Sequence, residues 1–355
     1  MPFKKYPILS ASRFALSFLA QTQTGTVHSV YRKTINLNLN GQLLALQAKD
    51  SPLSPISLIT GLSSDEMEQL GIAAGDSVRI QDSEIRIGRT VCFYLALDSL
   101  TDLKLYCDFA VTEPSSNPSH ESHKLQWEQS LETLESQCLK ALCSRSAGSF
   151  ELLFSDPGKA RTIPFLAVAE QRLKDTLYHL EQKQWEEAAQ VLVRLIGLGL
   201  GLTPGGDDFL CGILAGLILC RMKNPASEKE TIPEVLTLCR TINSASAETV
   251  QYINSDFRPS RISNHPFALA LETQIRNHLC DTNDISAAFL RCALDGQFSL
   301  AVNRLPSLKS ASEILSVFSE IGHSSGTDTL CGIYYILKNR TLLHETMQNP
   351  DIFLL

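Results

Sequence analysis

The feature that most constrains this chain is a change of period partway along it. From about residue 26 to 112, short strand-like stretches alternate with turn signals. After residue 122, apolar residues recur at helical spacing instead. "TVHSVYRKTINLNL" alternates in its second half, and "GQLLALQ" follows an Asn-Gly turn at 40–41. "GIAAGDSVRIQDSEIRIG" reads as a turn, a strand, a tight connection and a second strand, and "TVCFYLAL" as a buried strand. Further on, Trp127, Leu131, Leu134, Cys138 and Leu142 share one helical face, as do Trp185, Ala188, Ala189, Leu192, Val193 and Ile196. Further helical stretches fall near 164–181, 207–222, 232–253, 265–280, 285–295, 309–320 and 327–339. Strands first and helices afterwards predict an α+β protein by segregation. The expected domains are a small β-rich unit over 1–115, barrel or sandwich, and a mostly α-helical unit over 123–355. "TEPSSNPSHES" at 112–122 is the linker candidate, with His120 and His123 as solvated histidines inside it.

Bulk properties remove several function classes. The net charge of −7, with no basic block, argues against a nucleic-acid partner. The longest apolar run, 209–220, has 12 residues, and a membrane helix needs about 20. "MPFKKYPILSASRFALSFLA" is interrupted by Arg13 and several serines, and reads as an amphipathic helix rather than a signal peptide. Ten cysteines without a CxxC pair read as reduced core residues, which predicts a cytoplasmic location without a zinc site.

The chemistry-bearing candidate is "GLGLGLTPGGDDFLCG" at 197–212. It follows "QWEEAAQVLVRLI", a helical segment, whereas a dinucleotide-binding glycine loop follows a strand. Gly201 and Gly206 have P-loop spacing, but Asp207 and Asp208 stand where lysine and serine or threonine are needed. A second stretch echoes the first. "GDDFLCGI" at 206–213 and "GTDTLCGI" at 326–333 agree at six of eight positions, 120 residues apart. Each follows a loop of small residues, "LTPG" at 202–205 and "GHSS" at 322–325. This reads as an internal duplication within the helical domain.

Two readings of the pair stay open. In one, Asp207, Asp208 and Asp328 only cap helices. In the other, both loops meet at one site, where free helix N–H groups take a small anion. The catalytic candidates are then Asp208, His323 and Asp328. Binding candidates are Gly201, Thr203, Gly205, Gly206, Asp207, Ser324, Ser325 and Gly326. "TNDISAAFLRCALDGQF" at 282–298 adds Asn283, for which helix capping is the default role.

The three stretches "GLGLGLTPGGDDFLCG", "TNDISAAFLRCALDGQF" and "IGHSSGTDTLCGI", in that order, resemble a bacterial family that includes the AllH-type subunit of oxamate carbamoyltransferase. "TVHSVYRKTINLNLNGQLLAL" fits the family's N-terminal part, so the resemblance covers most of the chain. One departure is Gly205, where the family is expected to carry serine. The resemblance implies a cytoplasmic transferase subunit of nitrogen metabolism, in allantoin catabolism, that works with other subunits. The implied reaction moves a carbamoyl group between oxamate and phosphate, through oxalurate or carbamoyl phosphate. It does not say which subunit does the chemistry. The S-x-R-T phosphate motif of well-known carbamoyltransferases is absent. "SGTDTLCGI" also resembles the Asp-Thr-Asp helix start of ADP-ribosylglycohydrolases. The alternatives are therefore a metal-dependent hydrolase, with Mg2+ on Asp207, Asp208 and Asp328, or a non-catalytic scaffold or regulatory subunit.

Overall fold

The computed structural model describes residues 3–81, 84–105, 120–220 and 265–344. They fall into two compact units, one ending at Leu103 and the other beginning at Lys104.

The first unit is a closed eight-stranded barrel. Its strands are β1 (Lys4–Ser12), β2 (Thr24–Tyr31), β3 (Thr34–Leu39), β4 (Gln42–Gln47), β5 (Ser57–Thr60), β6 (Ser77–Gln81), β7 (Glu84–Ile87) and β8 (Val91–Thr101). They close in the order β1-β5-β4-β3-β2-β6-β7-β8. The β1–β8 and β4–β5 pairs are parallel, and the other described pairs are antiparallel. The Asn-Gly turn forms as its residues require. Asn40 and Gly41 both adopt left-handed backbone, φ 53° and 84°, the geometry of a two-residue hairpin whose twist matches its strands. The turn sets the register that pairs Leu37 with Leu44 and Ile35 with Leu46, all buried in the barrel.

The N-terminal stretch departs from its sequence reading. Lys4–Ser12 is a strand, and only Arg13–Ala20 is helix (α1), capped by the Ser12 hydroxyl accepting from the Ala15 N–H at 2.9 Å. Its two open edges explain this. β1 pairs with β5 on one side and β8 on the other, so backbone pairing satisfies nine residues that helical propensity would have placed otherwise. A short helix, α2 (Ser64–Glu68), carries a full capping box between Ser63 and Glu66.

The second unit is helical. Its helices are α3 (His120–Cys143), α4 (Leu152–Ser155), α5 (Pro157–Ala160), α6 (Pro164–Glu181), α7 (Trp185–Leu192), α8 (Gly205–Leu219), α9 (Pro266–Asn277), α10 (Asp284–Leu294), α11 (Leu300–Arg304), α12 (Ala311–Ser319) and α13 (Ser325–His344). His120 and His123 thus belong to α3 and not to a linker. Most of the expected linker, and the stretch near 232–253, lie outside the described residues. The outer helices bury one face each. On α7 that face is Ala188, Ala189 and Leu192, and on α6 it is Leu166, Ala169, Leu173, Thr176 and Leu180. In contrast, α8 is buried nearly all round, as is α13 from Gly326 to Leu337, the mark of a central helix.

The echo in sequence is a symmetry in space. A Cβ on Gly212 would lie 2.0 Å from the Thr329 carbonyl oxygen, and one on Gly332 would lie 2.0 Å from the Phe209 carbonyl oxygen. Both contacts cross between α8 and α13, and each residue exchanges with its counterpart 120 positions away. Reciprocal contacts of this kind are what a two-fold relation between duplicated helices produces. The cysteines are less uniform than expected. Cys92, Cys138, Cys220, Cys292 and Cys331 are buried, but Cys143 and Cys280 are exposed.

Candidate functional site

The glycine loop runs from the end of α7, through one 3-10 turn at Val193–Leu195, to the start of α8. Gly197, Gly199 and Gly201 all have positive φ, which folds the loop back on itself and leaves Leu200 and Leu202 exposed. Helix precedes the loop, as the sequence reading requires, and no strand leads into it.

The first turn of α8 holds both acids, yet its capping position, Pro204, makes no side-chain cap. Asp207 does something else. Its Oδ1 accepts from the Gly197 N–H at 2.8 Å and its Oδ2 from the Thr282 hydroxyl at 2.6 Å. It therefore ties both ends of the glycine loop to the start of α10. Asn283 works beside it. Its Oδ1 caps α10 through the N–H groups of Ile285 and Ser286, and its Nδ2 donates to the Leu202 carbonyl at 2.9 Å.

Asp328, the counterpart of Asp208, is fully buried. It accepts from the Ser149 hydroxyl at 2.9 Å and the Phe150 N–H at 3.0 Å. Burial pushes its carboxyl up to about 7, and the Ser149, Phe150 and Ser324 donors oppose that shift. A Cβ at Gly205 would lie 3.0 Å from Asp328 Oδ2. The serine expected there would set its hydroxyl against this carboxylate, so Ser149 serves it instead.

Asp208 is only 8% exposed, and its Oδ2 is buried with no hydrogen-bond partner. Beside it the two loops meet, where the Thr203 and Ser325 hydroxyls bond to each other at 2.8 Å. Burial first, and then the charge of Asp328, hold the Asp208 carboxyl well above the ordinary carboxylate range, against the opposing pull of the Ser325 and Thr203 hydroxyls. Capping is therefore not the role of Asp207 or Asp208, and Asp328 spends its oxygens on another segment.

The remaining candidates separate. The Gly206 N–H donates to the Leu198 carbonyl at 2.8 Å and the Gly326 N–H to the Ile321 carbonyl at 3.0 Å. The Asp207 and Asp208 N–H groups both reach the Pro204 carbonyl, and the Asp328 N–H reaches that of Ser324. These N–H groups are satisfied within the protein, so they do not form the free anion cradle that the sequence suggested. Gly206 and Gly326 instead permit close packing, since a Cβ on each would lie 2.0 Å from the carbonyl oxygen of Leu195 and Phe318 respectively. Gly201 is exposed on the loop, and Thr203, Ser324 and Ser325 are half-buried. His323 is exposed, and no hydrogen bond joins its ring to Asp208 or Asp328. Its backbone carbonyl accepts from Arg145 Nη2 at 2.8 Å.

Arg145 and the 148–151 turn were not singled out from the sequence. Arg145 also donates to the Ser319 hydroxyl, which braces the loop before α13. Glu151 is fully buried and accepts from the N–H groups of Gly148 and Ser149, which presents Ser149 and Phe150 to Asp328. The legible signal was "SAGSFE", small and polar residues between two apolar helical runs. No group of three or more His, Cys, Asp or Glu side chains is arranged to hold a metal ion among the described residues. Nor is any described helix long and apolar enough to cross a membrane.

Comparison with known proteins falls on the same segments. No curated protein sequence and no solved structure matches the chain. A family model described as oxamate carbamoyltransferase subunit AllH matches residues 195–337, from the glycine loop through α13. A second, described as the AllH family N-terminal domain, matches residues 7–99, the barrel. The chain, with its barrel and its paired glycine–aspartate helices, belongs to the AllH family of oxamate carbamoyltransferase subunits.

Proposed function

We propose that this chain is the subunit that holds a small anionic substrate of the carbamoyltransferase reaction between the 201–208 and 322–328 loops. The reaction exchanges a carbamoyl group: oxalurate and phosphate on one side, oxamate and carbamoyl phosphate on the other. The observation that carries this reading is Asp208 Oδ2, a buried polar atom without a partner at the point where Thr203 and Ser325 meet. Buried polar atoms are rarely left unpaired, and an unpaired one where two loops converge is a place for a ligand.

The side chains around it supply neutral donors. The hydroxyls of Thr203, Ser324 and Ser325 can turn from each other toward ligand oxygens, and Asn283 holds the 202 loop in position. Arg145 fixes the other loop through the His323 carbonyl, which orients Ser324 and Ser325 ahead of α13. Such positioning is the chain's contribution to the transfer. Other subunits of the complex complete the site.

Thermal unfolding of the full chain with oxamate, oxalurate, carbamoyl phosphate or inorganic phosphate tests this directly. A ligand at a hundredfold excess over its Kd stabilises the native state by about 2.7 kcal/mol. At least one carbamoyl-bearing ligand should do so, and Asp208→Leu should abolish the effect. No shift with any of the four, in a folded chain, overturns the reading.

A further inference from the structure

Three carboxyl groups cluster where an anion is to bind, and they are not equivalent. Asp207 spends both oxygens on the Gly197 N–H and the Thr282 hydroxyl. Asp328 accepts from the Ser149 hydroxyl and the Phe150 N–H. Each is a carboxylate solvated by protein donors. Asp208 is more than nine-tenths buried and has an oxygen that no donor reaches. A third negative charge there, unsolvated and facing Asp328, is the least favourable way to fill that position.

A carboxylic acid offers a different surface from a carboxylate. One oxygen donates through O–H and the other accepts, both on the same edge. A primary carboxamide has the complementary edge, N–H beside C=O, so the two close a ring of two hydrogen bonds. Oxamate, oxalurate and carbamoyl phosphate each end in a primary carboxamide. Oxalate and inorganic phosphate do not.

We propose that Asp208 bears a proton and is the specificity residue that reads the carboxamide end of the substrate, leaving the anionic end to the Thr203, Ser324 and Ser325 hydroxyls. This rests on the small-anion reading of the same loops. It also explains how an anion tolerates the acids around it. The neutral Asp208 carboxyl meets the ligand, while the donors on Asp207 and Asp328 disperse their charge.

Calorimetric titration of the full chain with oxamate and with oxalate separates the two readings. Unaltered protein should prefer oxamate by about tenfold or more, because oxalate leaves the Asp208 edge mispaired. Asp208→Asn presents the same donor–acceptor edge and cannot ionise, so it should keep oxamate affinity within about threefold. Asp208→Leu should bring oxamate and oxalate to within about threefold of each other. Oxamate bound without preference over oxalate overturns the carboxamide assignment and leaves the small-anion reading standing. So does an Asp208→Asn chain, folded by circular dichroism, that loses oxamate as fully as the leucine variant. Neither ion binding to the unaltered chain overturns both.

Discussion

Replacing Gly212 with alanine is expected to destabilise the helical unit by forcing its two central helices apart. The new Cβ would lie 2.0 Å from the Thr329 carbonyl oxygen, 2.9 Å from its carbon and 3.0 Å from the Gly332 Cα. All three atoms are backbone, so no rotamer change relieves the clash. Ordinary contact begins near 3.4 Å, and α8 and α13 must therefore separate by more than 1 Å at the crossing. That movement loosens Phe209, Ile213, Leu330 and Ile333, all buried. Overpacking of this kind costs about 1–3 kcal/mol and occasionally more, while glycine-to-alanine in a helix returns up to about 1 kcal/mol. The net loss should be about 2–3 kcal/mol, or a fall in Tm of roughly 4–12 °C for a unit of this size. Thermal unfolding followed at 222 nm measures it. Gly332→Ala should behave alike, because its Cβ meets the Phe209 carbonyl at the same 2.0 Å. Gly158→Ala is the control, since its Cβ would meet only Asp156 Oδ1 at 3.4 Å. If Gly212→Ala and Gly158→Ala unfold at the same temperature, the reciprocal crossing is wrong.

Three further outcomes follow from the site. The folded pKa of Asp328, about 7, lies above its model value of 3.8. Between those limits the folded state keeps a proton that the unfolded chain releases, so stability falls as pH rises through them, by about 4 kcal/mol for this group alone. Asp328→Asn should remove that slope and be more stable than the unaltered chain at pH 8 but not at pH 4; urea unfolding at both values would refute this if the difference did not change. Thr282→Val removes the 2.6 Å bond to Asp207 Oδ2 and should cost about 1–3 kcal/mol in the same assay, whereas an effect below about 0.5 kcal/mol would show that Asp207 is not the tie. Arg145→Leu frees the His323 carbonyl and the Ser319 hydroxyl. Hydrogen exchange at 322–326 should quicken and oxamate affinity fall about fivefold; unchanged exchange would sink the bracing role.

How much of this could be read beforehand depended on how local the cause was. Asn40-Gly41 announced its hairpin because the turn geometry belongs to those two residues. Ala188, Ala189 and Leu192 declared a buried face because a helix repeats over few residues. Strand β1 was hidden, since its partners at 57–60 and 91–101 are far along the chain and supply the hydrogen bonds that decide it. The paired motif was visible as identity at an offset of 120, and so was the prominence of Asp208 and Asp328. The difference between them was not visible. Ser149 and Phe150 satisfy Asp328 from about 178 residues away in sequence, and no spacing rule connects them. His323 looked like a general base by type, but the fold engages its carbonyl rather than its ring.

The central claim is that the orphaned oxygen of Asp208 faces a ligand. An experimental structure of the full chain at saturating oxamate tests it most directly. The account predicts oxamate between Thr203 and Ser325, its amide within hydrogen-bond distance of the Asp208 carboxyl. Oxamate bound elsewhere, or the Asp208 carboxyl still unpartnered at saturation, would contradict it.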